Sequence, residues 1–346
     1  MQISTFDFDD SKRTFIIAEL SANHHQNFDL AVETIRAAKK AGANAIKVQT
    51  YTPDTITLNS EKSWFQINNG SIWDGTTLYK LYQEAYTPWE WQPDLKRIAE
   101  EVGLIFFSSP FDKTAVDFLE KMDVPAYKIA SFEIHDIPLI KYVASMGKPM
   151  LLSTGIATQS EIEEALVACR SVGNNQLAVL KCTSSYPAPP EEVNLLTIPD
   201  IVSRFGVVVG LSDHTMGSAV ALASVALGSR IVEKHFILDR SIGGPDASFS
   251  MEPAEFRKMV DDIRLVEKAL GAVNYELTPK AAKSRILGRS LFVVEDIRKG
   301  ELLTEKNIRS VRPANGMHPR FLPDVIGKKA IADLEKGTPL SQEMIV

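Results

Sequence analysis

Two short stretches place a histidine where an apolar, β-branched run gives out. Val207-Val208-Val209 leads into Gly210-Leu211-Ser212-Asp213-His214-Thr215, and Ile231-Val232 leads into Glu233-Lys234-His235. Imidazoles at the ends of two neighbouring strands can share one divalent metal and leave positions for water and substrate. Such a set suits Lewis-acid chemistry better than a structural role. Either histidine alone reads as a satisfied side chain near a strand end; the pair gains meaning if the chain builds a barrel. Other apolar runs end in similar chemistry: Glu19, Lys47 with Gln49, Ser108 with Ser109, Lys128 with Ser131 and Glu133, Ser153 with Thr154, and Thr183 with Ser184 and Tyr186. Lys47 and Gln49 are two apart and face one side of their strand. Two inward lysines in a ring of hydroxyls describe a pocket for a phosphate or carboxylate, the lysines neutralising charge and the hydroxyls and amides supplying fixed donors. A lysine buried in a barrel for structural reasons needs a carboxylate partner, and Glu19 or Glu133 could provide it.

The runs that must position these groups are Phe15–Ala18, Ala45–Val48, Leu104–Phe107, Ala126–Ile129, Met150–Ser153, Leu177–Leu180, Val207–Gly210 and Arg230–Glu233. Helical patterns separate them. Asp29 to Ala41 repeats Leu30, Ile35 and Ala38 before Gly42; Thr158-Gln159-Ser160-Glu161 is a capping box opening a helix to about Val172; Pro253 to Leu270 sets Phe256, Val260, Ile263 and Val266 on one face before Gly271. Thr87-Pro88-Trp89-Glu90 reads as a further capping box, opening a helix to about Val102. Strand and helix in eightfold alternation predict an α/β fold, a (β/α)8 TIM barrel whose strand C-termini form the site. Tyr51 to Tyr86 is too long for a βα connection and is read equally well as a lid or as a decorated surface loop.

From about Leu277 the pattern changes. Asp296-Ile297-Arg298-Lys299-Gly300-Glu301 returns as Asp333-Leu334-Glu335-Lys336-Gly337-Thr338, two copies of one short unit in a small β domain. The expected division is a barrel over 1–276, a linker over 277–284 and a small domain over 285–346.

The 346 residues carry a formal net charge of −6 with no long basic run, which argues against nucleic acid as the main partner. Cys169 and Cys182 have no zinc or redox spacing and fit a reducing cytosol. Asp7, Asp9 and Asp10 stand where a signal peptide would be basic, and no apolar run approaches the ~18 residues of a membrane span. The expectation is a cytoplasmic protein without membrane or nucleic-acid partners.

Ile17-Ala18-Glu19-Leu20-Ser21-Ala22-Asn23-His24, Lys47-Val48-Gln49-Thr50, Ser108-Ser109-Pro110-Phe111-Asp112, Lys128 to Glu133, Ser153-Thr154-Gly155, Gly210 to Thr215 and Glu233-Lys234-His235-Phe236 together resemble the nonulosonic (sialic) acid synthases. Arg312-Pro313-Ala314-Asn315-Gly316 is similar to their antifreeze-like (SAF, β-clip) C-terminal domain. Glu-Leu-Ser-Ala-Asn-His looks like the pseudaminic acid branch, where N-acetylneuraminate synthases more often have Gly-Val-Asn-His. Lys181 stands where the sialic enzymes commonly have histidine. The resemblance implies a metal-dependent condensation of phosphoenolpyruvate with an open-chain amino-sugar, 2,4-diacetamido-2,4,6-trideoxy-L-altrose, releasing phosphate by C–O cleavage. It implies Lys47, Gln49, Ser109, Lys128, Ser131, Ser153, Ser184 and Ser212 around phosphoenolpyruvate. Mn2+, with Mg2+ or Co2+ as alternatives, would sit on His214 and His235, and Glu19 or Glu133 would move protons. Asn23, Tyr186 and Asp246 would face the sugar, and Arg312 would reach the partner's site across a homodimer.

Rival readings are the same reaction on N-acetylmannosamine or the legionaminic precursor, a Schiff-base aldolase using Lys128 or Lys47, and a non-enzymatic binder of anionic sugars that uses the small domain alone.

Overall fold

The computed structural model describes Met1–Val346 and divides into two compact units, Met1–Gly271 and Ala272–Val346. In the first unit eight parallel strands close a barrel in chain order, the last pairing with the first. They are β1 (Phe15–Glu19), β2 (Ala45–Thr50), β3 (Ile105–Pro110), β4 (Tyr127–Ile129), β5 (Met150–Ser153), β6 (Leu177–Cys182), β7 (Val208–Asp213) and β8 (Ile231–His235).

The period of two sorts each strand's side chains between two cores. Outward positions such as Ile16, Ile46, Phe106, Val179 and Val232 join the core beneath the surrounding helices. Inward positions Phe15, Ile17, Ala45, Phe107, Ala126, Leu151, Ala178, Leu180 and Ile231 pack with Ile3 and Phe8, so the N-terminal hairpin Gln2–Ile3/Phe6–Asp7 belongs to the inner core. Gly210 is required there: a Cβ would stand 2.6 Å from Ile231 Cβ and from Leu180 Cδ2. The apolar filling ends one step below the strand C-termini, where the inward residues turn polar.

Eight helices follow the strands, including Phe28–Lys40, Gln159–Ser171 and Pro253–Leu270. Glu161 Oε2 accepts from Thr158 N at 2.7 Å, as the capping box requires. The box expected at Thr87 does not form. Trp89–Trp91 is a 3-10 turn, and the helix starts only at Gln92, with Pro93 in its first turn. The Thr87 hydroxyl is taken instead by His24 Nε2 at 3.2 Å, a tertiary contact that outbids a local cap.

The 51–86 segment is ordered into the helices Pro53–Ile56 and Leu78–Ala85, with a bridge between Gln66 and Thr77. In the second unit, the 277–284 stretch expected as a linker contains the short helix Pro279–Ser284. Strands Ser290–Val293 and Ile308–Val311 pair antiparallel. The two repeats face each other about a pseudo-twofold. Ile297 and Leu334 exchange backbone hydrogen bonds at 2.9 and 2.8 Å, and each aspartate, Asp333 or Asp296, accepts from the other copy's lysine N–H, Lys299 or Lys336, at 2.7 Å. No helix is long and apolar enough to cross a membrane.

Candidate active site

A cavity of about 470 Å³ opens at the C-terminal ends of the strands. Parallel register explains how its floor assembles. Glu19 on β1 stands beside Lys47 on β2, Gln49 beside Ser109 on β3, and Ser212 on β7 beside Glu233 on β8. Lys47 Nζ lies 2.9 Å from Glu19 Oε2 and 3.6 Å from Glu233 Oε1, and Lys128 Nζ lies 3.2 Å from the same Glu233 oxygen. Ser212 Oγ donates to Glu233 Oε1 at 3.1 Å. All four charged side chains are buried.

The two carboxylates are not equivalent. Burial alone would raise Glu233, but Lys128 and Lys47 outweigh it and hold the group at about 2. Burial raises Glu19 from 4.5 to about 7 despite the Lys47 ammonium, and Glu233 adds to the rise. Glu233 is therefore a fixed anion and Glu19 a group that titrates near neutrality. Burial likewise lifts Glu133 to about 7 and pulls Lys128 below its ordinary value, against the pull of Glu233.

Buried polar atoms without a hydrogen-bond partner are rare in folded proteins and demand an explanation. Nine occur here, and five belong to residues lining this cavity: Glu133 Oε2, Ser153 Oγ, Glu233 Oε2 and His235 Nδ1, together with Glu19 Oε2, whose one partner is the Lys47 ammonium of its ion pair. That concentration is the signature of a polar ligand site.

His214 and His235 face each other with ring centroids 5.4 Å apart. His214 Nδ1 lies 2.9 Å from Thr183 O, so that nitrogen carries a proton and Nε2 is the one left for a ligand. Burial lowers this imidazole, but Cys182 and the Thr183 carbonyl outweigh it and raise the group above its ordinary value. Burial, His214 and the floor lysines push His235 well below its usual value, keeping that imidazole neutral, and its buried Nδ1 lies 3.7 Å from Asp246 Oδ2 without a hydrogen bond. The two imidazoles would offer nitrogen donors that suit a divalent metal of intermediate softness, His214 giving up a proton as the metal binds, while no group of three or more His, Cys, Asp or Glu side chains is arranged to hold one.

Of the remaining residues expected at the site, Gln49, Ser131, Tyr186 and Asp246 line the cavity. Ser109 and Ser184 support it from behind: Ser109 Oγ accepts from Lys47 Nζ at 3.2 Å, and Ser184 Oγ donates to Ser131 Oγ at 2.7 Å. Asn23, expected to face a sugar, does not line the cavity. Its amide is engaged by Phe236 O at 3.0 Å and Ser250 Oγ at 2.8 Å, where it braces the β8 loop. Arg312 lies in the second unit and is exposed. Sequence reasoning passed over Glu233, Cys182 and Ser21, which also line the cavity. For Glu233 the signal was present, since it shares the inward face of β8 with His235.

The 51–86 segment forms one wall, contributing Ile56, Ile67, Trp73, Leu78, Leu81 and Tyr82. Trp73 Nε1 donates to Pro245 O at 2.8 Å, fastening this wall to the loop that carries Asp246. The cavity thus has a floor of two lysines ion-paired with two glutamates, a two-histidine flank and an apolar side.

The sequence profile of the NeuB family matches residues 34–275, and that of the SAF domain matches residues 288–346. The chain belongs to the NeuB family. It is 47% identical over 342 residues to the pseudaminic acid synthase of Campylobacter jejuni subsp. jejuni serotype O:23/36 (strain 81-176), with 99% of each chain covered. It is 36% identical over 327 residues to the N,N'-diacetyllegionaminic acid synthase of Campylobacter jejuni (strain ATCC 700819 / NCTC 11168), covering 92% of this chain and 96% of that one. Among solved structures, a spore coat polysaccharide biosynthesis protein of Bacillus subtilis is 35% identical, with a TM-score of 0.67 and coverage of 100% of this chain and 99% of the other.

Proposed function

We propose that this NeuB-family protein condenses phosphoenolpyruvate with open-chain 2,4-diacetamido-2,4,6-trideoxy-L-altrose, giving pseudaminic acid and phosphate. The observation behind this reading is one cavity that joins a buried Lys47–Lys128 floor, rich in unpartnered polar atoms, to an apolar wall. The floor suits the phosphate and carboxylate of phosphoenolpyruvate; the wall suits a sugar with two acetamido methyls and a 6-deoxy carbon. The higher identity to the pseudaminic than to the legionaminic enzyme, 47% against 36%, favours the same acceptor.

C3 of phosphoenolpyruvate bonds to the aldehyde carbon, a water oxygen adds at C2, and the C2–O bond to phosphate breaks. Lys47 and Lys128 neutralise the departing phosphate, with Ser153 and Ser212 supplying hydroxyl donors. Glu233, fixed as an anion, keeps both lysines charged and in place. Glu19 and Glu133 sit where a group can accept and return a proton at neutral pH, and we assign the transfer at the phosphoenolpyruvate end to Glu19, which touches Lys47. His214 and His235 would hold a divalent metal, Mn2+ or alternatively Mg2+ or Co2+, which when bound polarises the aldehyde oxygen. Tyr186 and Asp246 would meet the sugar, and Arg312 of one copy would act in the site of a second in a homodimer. A Schiff-base aldolase fits less well, because such a lysine must be free and neutral whereas both floor lysines are ion-paired.

The test is phosphate release from phosphoenolpyruvate with Mn2+, comparing the altrose acceptor with N-acetylmannosamine. Release with the altrose sugar is expected. Release with the mannosamine alone would overturn the acceptor assignment.

A further inference from the structure

Ser21 has no role in the chemistry above, yet it is buried at φ +46°, in the left-handed region that a residue with a Cβ enters only against strain. Glycine would occupy such a position freely. The hydroxyl accounts for the serine. Ser21 Oγ donates to Asp246 Oδ2 at 2.5 Å and accepts from Gln49 Nε2 at 3.1 Å. Gln49 Nε2 also reaches Glu19 Oε1 at 3.3 Å, so the hydroxyl links the proton-transfer carboxyl on β1 to the carboxyl of the β8 loop. Ala22 N approaches the same Asp246 oxygen at 3.5 Å, and Ser250 Oγ donates to the Asp246 carbonyl at 2.6 Å. These bonds fix Oδ2 and the backbone of Asp246 and leave Oδ1 without a protein donor on a residue that lines the cavity.

We infer that Ser21 is a positioning residue for the acceptor sugar: it holds Asp246 so that Oδ1 receives a hydroxyl or amide N–H of the open-chain sugar. The inference rests on the activity proposed above. Backbone strain is kept at Ser21 because only a short hydroxyl in that conformation spans Gln49 and Asp246 together. Phosphoenolpyruvate would be held by Lys47 and Lys128, to neither of which Ser21 is hydrogen-bonded, so its binding should depend on Ser21 far less than the sugar's does.

Two variants separate the hydroxyl from the strain. Ser21→Gly removes both, and Ser21→Ala removes the hydroxyl and keeps the strain. Each is expected to lower kcat/KM for the altrose sugar by about 10- to 100-fold, the scale of leaving a buried polar group without its partner, while KM for phosphoenolpyruvate stays within about twofold. Ser21→Gly is expected to melt within a few degrees of the wild type, so it is informative even if Ser21→Ala fails to fold. A Ser21→Gly enzyme with wild-type kcat/KM for the sugar overturns the inference, as does one in which both substrates' KM values rise together. A wild type that releases phosphate with neither sugar refutes the activity itself, and this inference with it; sugar-dependent release by the wild type, with the variants unaffected, refutes the role of Ser21 alone.

Discussion

Glu233→Gln removes one charge from the buried floor at almost no change in volume. Glu233 Oε1 is 3.2 Å from Lys128 Nζ and 3.6 Å from Lys47 Nζ, and Lys47 keeps a second carboxylate, Glu19, at 2.9 Å. Lys128 pairs with no other carboxylate, so the substitution strands one buried ammonium. Removing one partner of a buried pair costs about 3–5 kcal/mol. The glutamine oxygen still accepts from Ser212, and Lys128, already pulled down by burial, can shed its proton, so the loss belongs near about 3 kcal/mol. At roughly 2–4 °C per kcal/mol, the melting temperature should fall by about 6–12 °C. The variant's floor has lost a counter-anion that bound phosphate can replace, re-protonating Lys128, so inorganic phosphate should restore it more than it lifts the wild type, following the mass action of a ligand that binds only the folded state. Thermal melts of both proteins at pH 7, over a phosphate series at constant ionic strength, read both effects. A variant melting within about 2 °C of the wild type, or an equal phosphate response in the two proteins, refutes Glu233 as the fixed counter-charge of the floor.

Burial raises Glu133 from 4.5 to about 7, so the fold favours its protonated form. Stability attributable to it is lost as pH climbs from about 4.5 to about 7. Glu133→Gln should therefore gain on the wild type between pH 5 and pH 8, by about 2 kcal/mol at the upper end; a difference that does not widen contradicts the burial argument. His235→Ala should abolish turnover and weaken Mn2+ binding in calorimetry while leaving the far-ultraviolet circular dichroism unchanged, and full activity would remove His235 from the metal site. Arg312→Ala should raise KM for the sugar far more than for phosphoenolpyruvate. Mixing it with His235→Ala should restore some activity if copies share sites, and no rescue at any ratio argues against sharing.

The barrel was legible because alternation and β-branched runs encode strands locally, and closure follows from having eight of them. The same alternation carried Lys47, Gln49, Lys128, Ser153, Ser212 and His235 to one rim. It failed where partners are distant in sequence. Glu233 looked no more functional than Lys234, yet the first turns inward to Lys128 and the second turns outward to pair with Asp213 at 2.7 Å. Asn23 sits in a motif beside the site, but its amide is drawn to Phe236 and Ser250, more than two hundred positions away. Thr87 has every local mark of a cap and is claimed by His24. The internal repeat of the second unit was legible as text, but the exchange of aspartate bonds between its copies needed the fold.

Phosphoenolpyruvate labelled with 18O in the C2–O–P bridge, turned over with the altrose sugar and Mn2+, tests the proposed condensation most directly. The label is expected to leave entirely in phosphate, with one phosphate released per pseudaminic acid formed. Label retained in the sugar product, or consumption of phosphoenolpyruvate without a nine-carbon product, would contradict it.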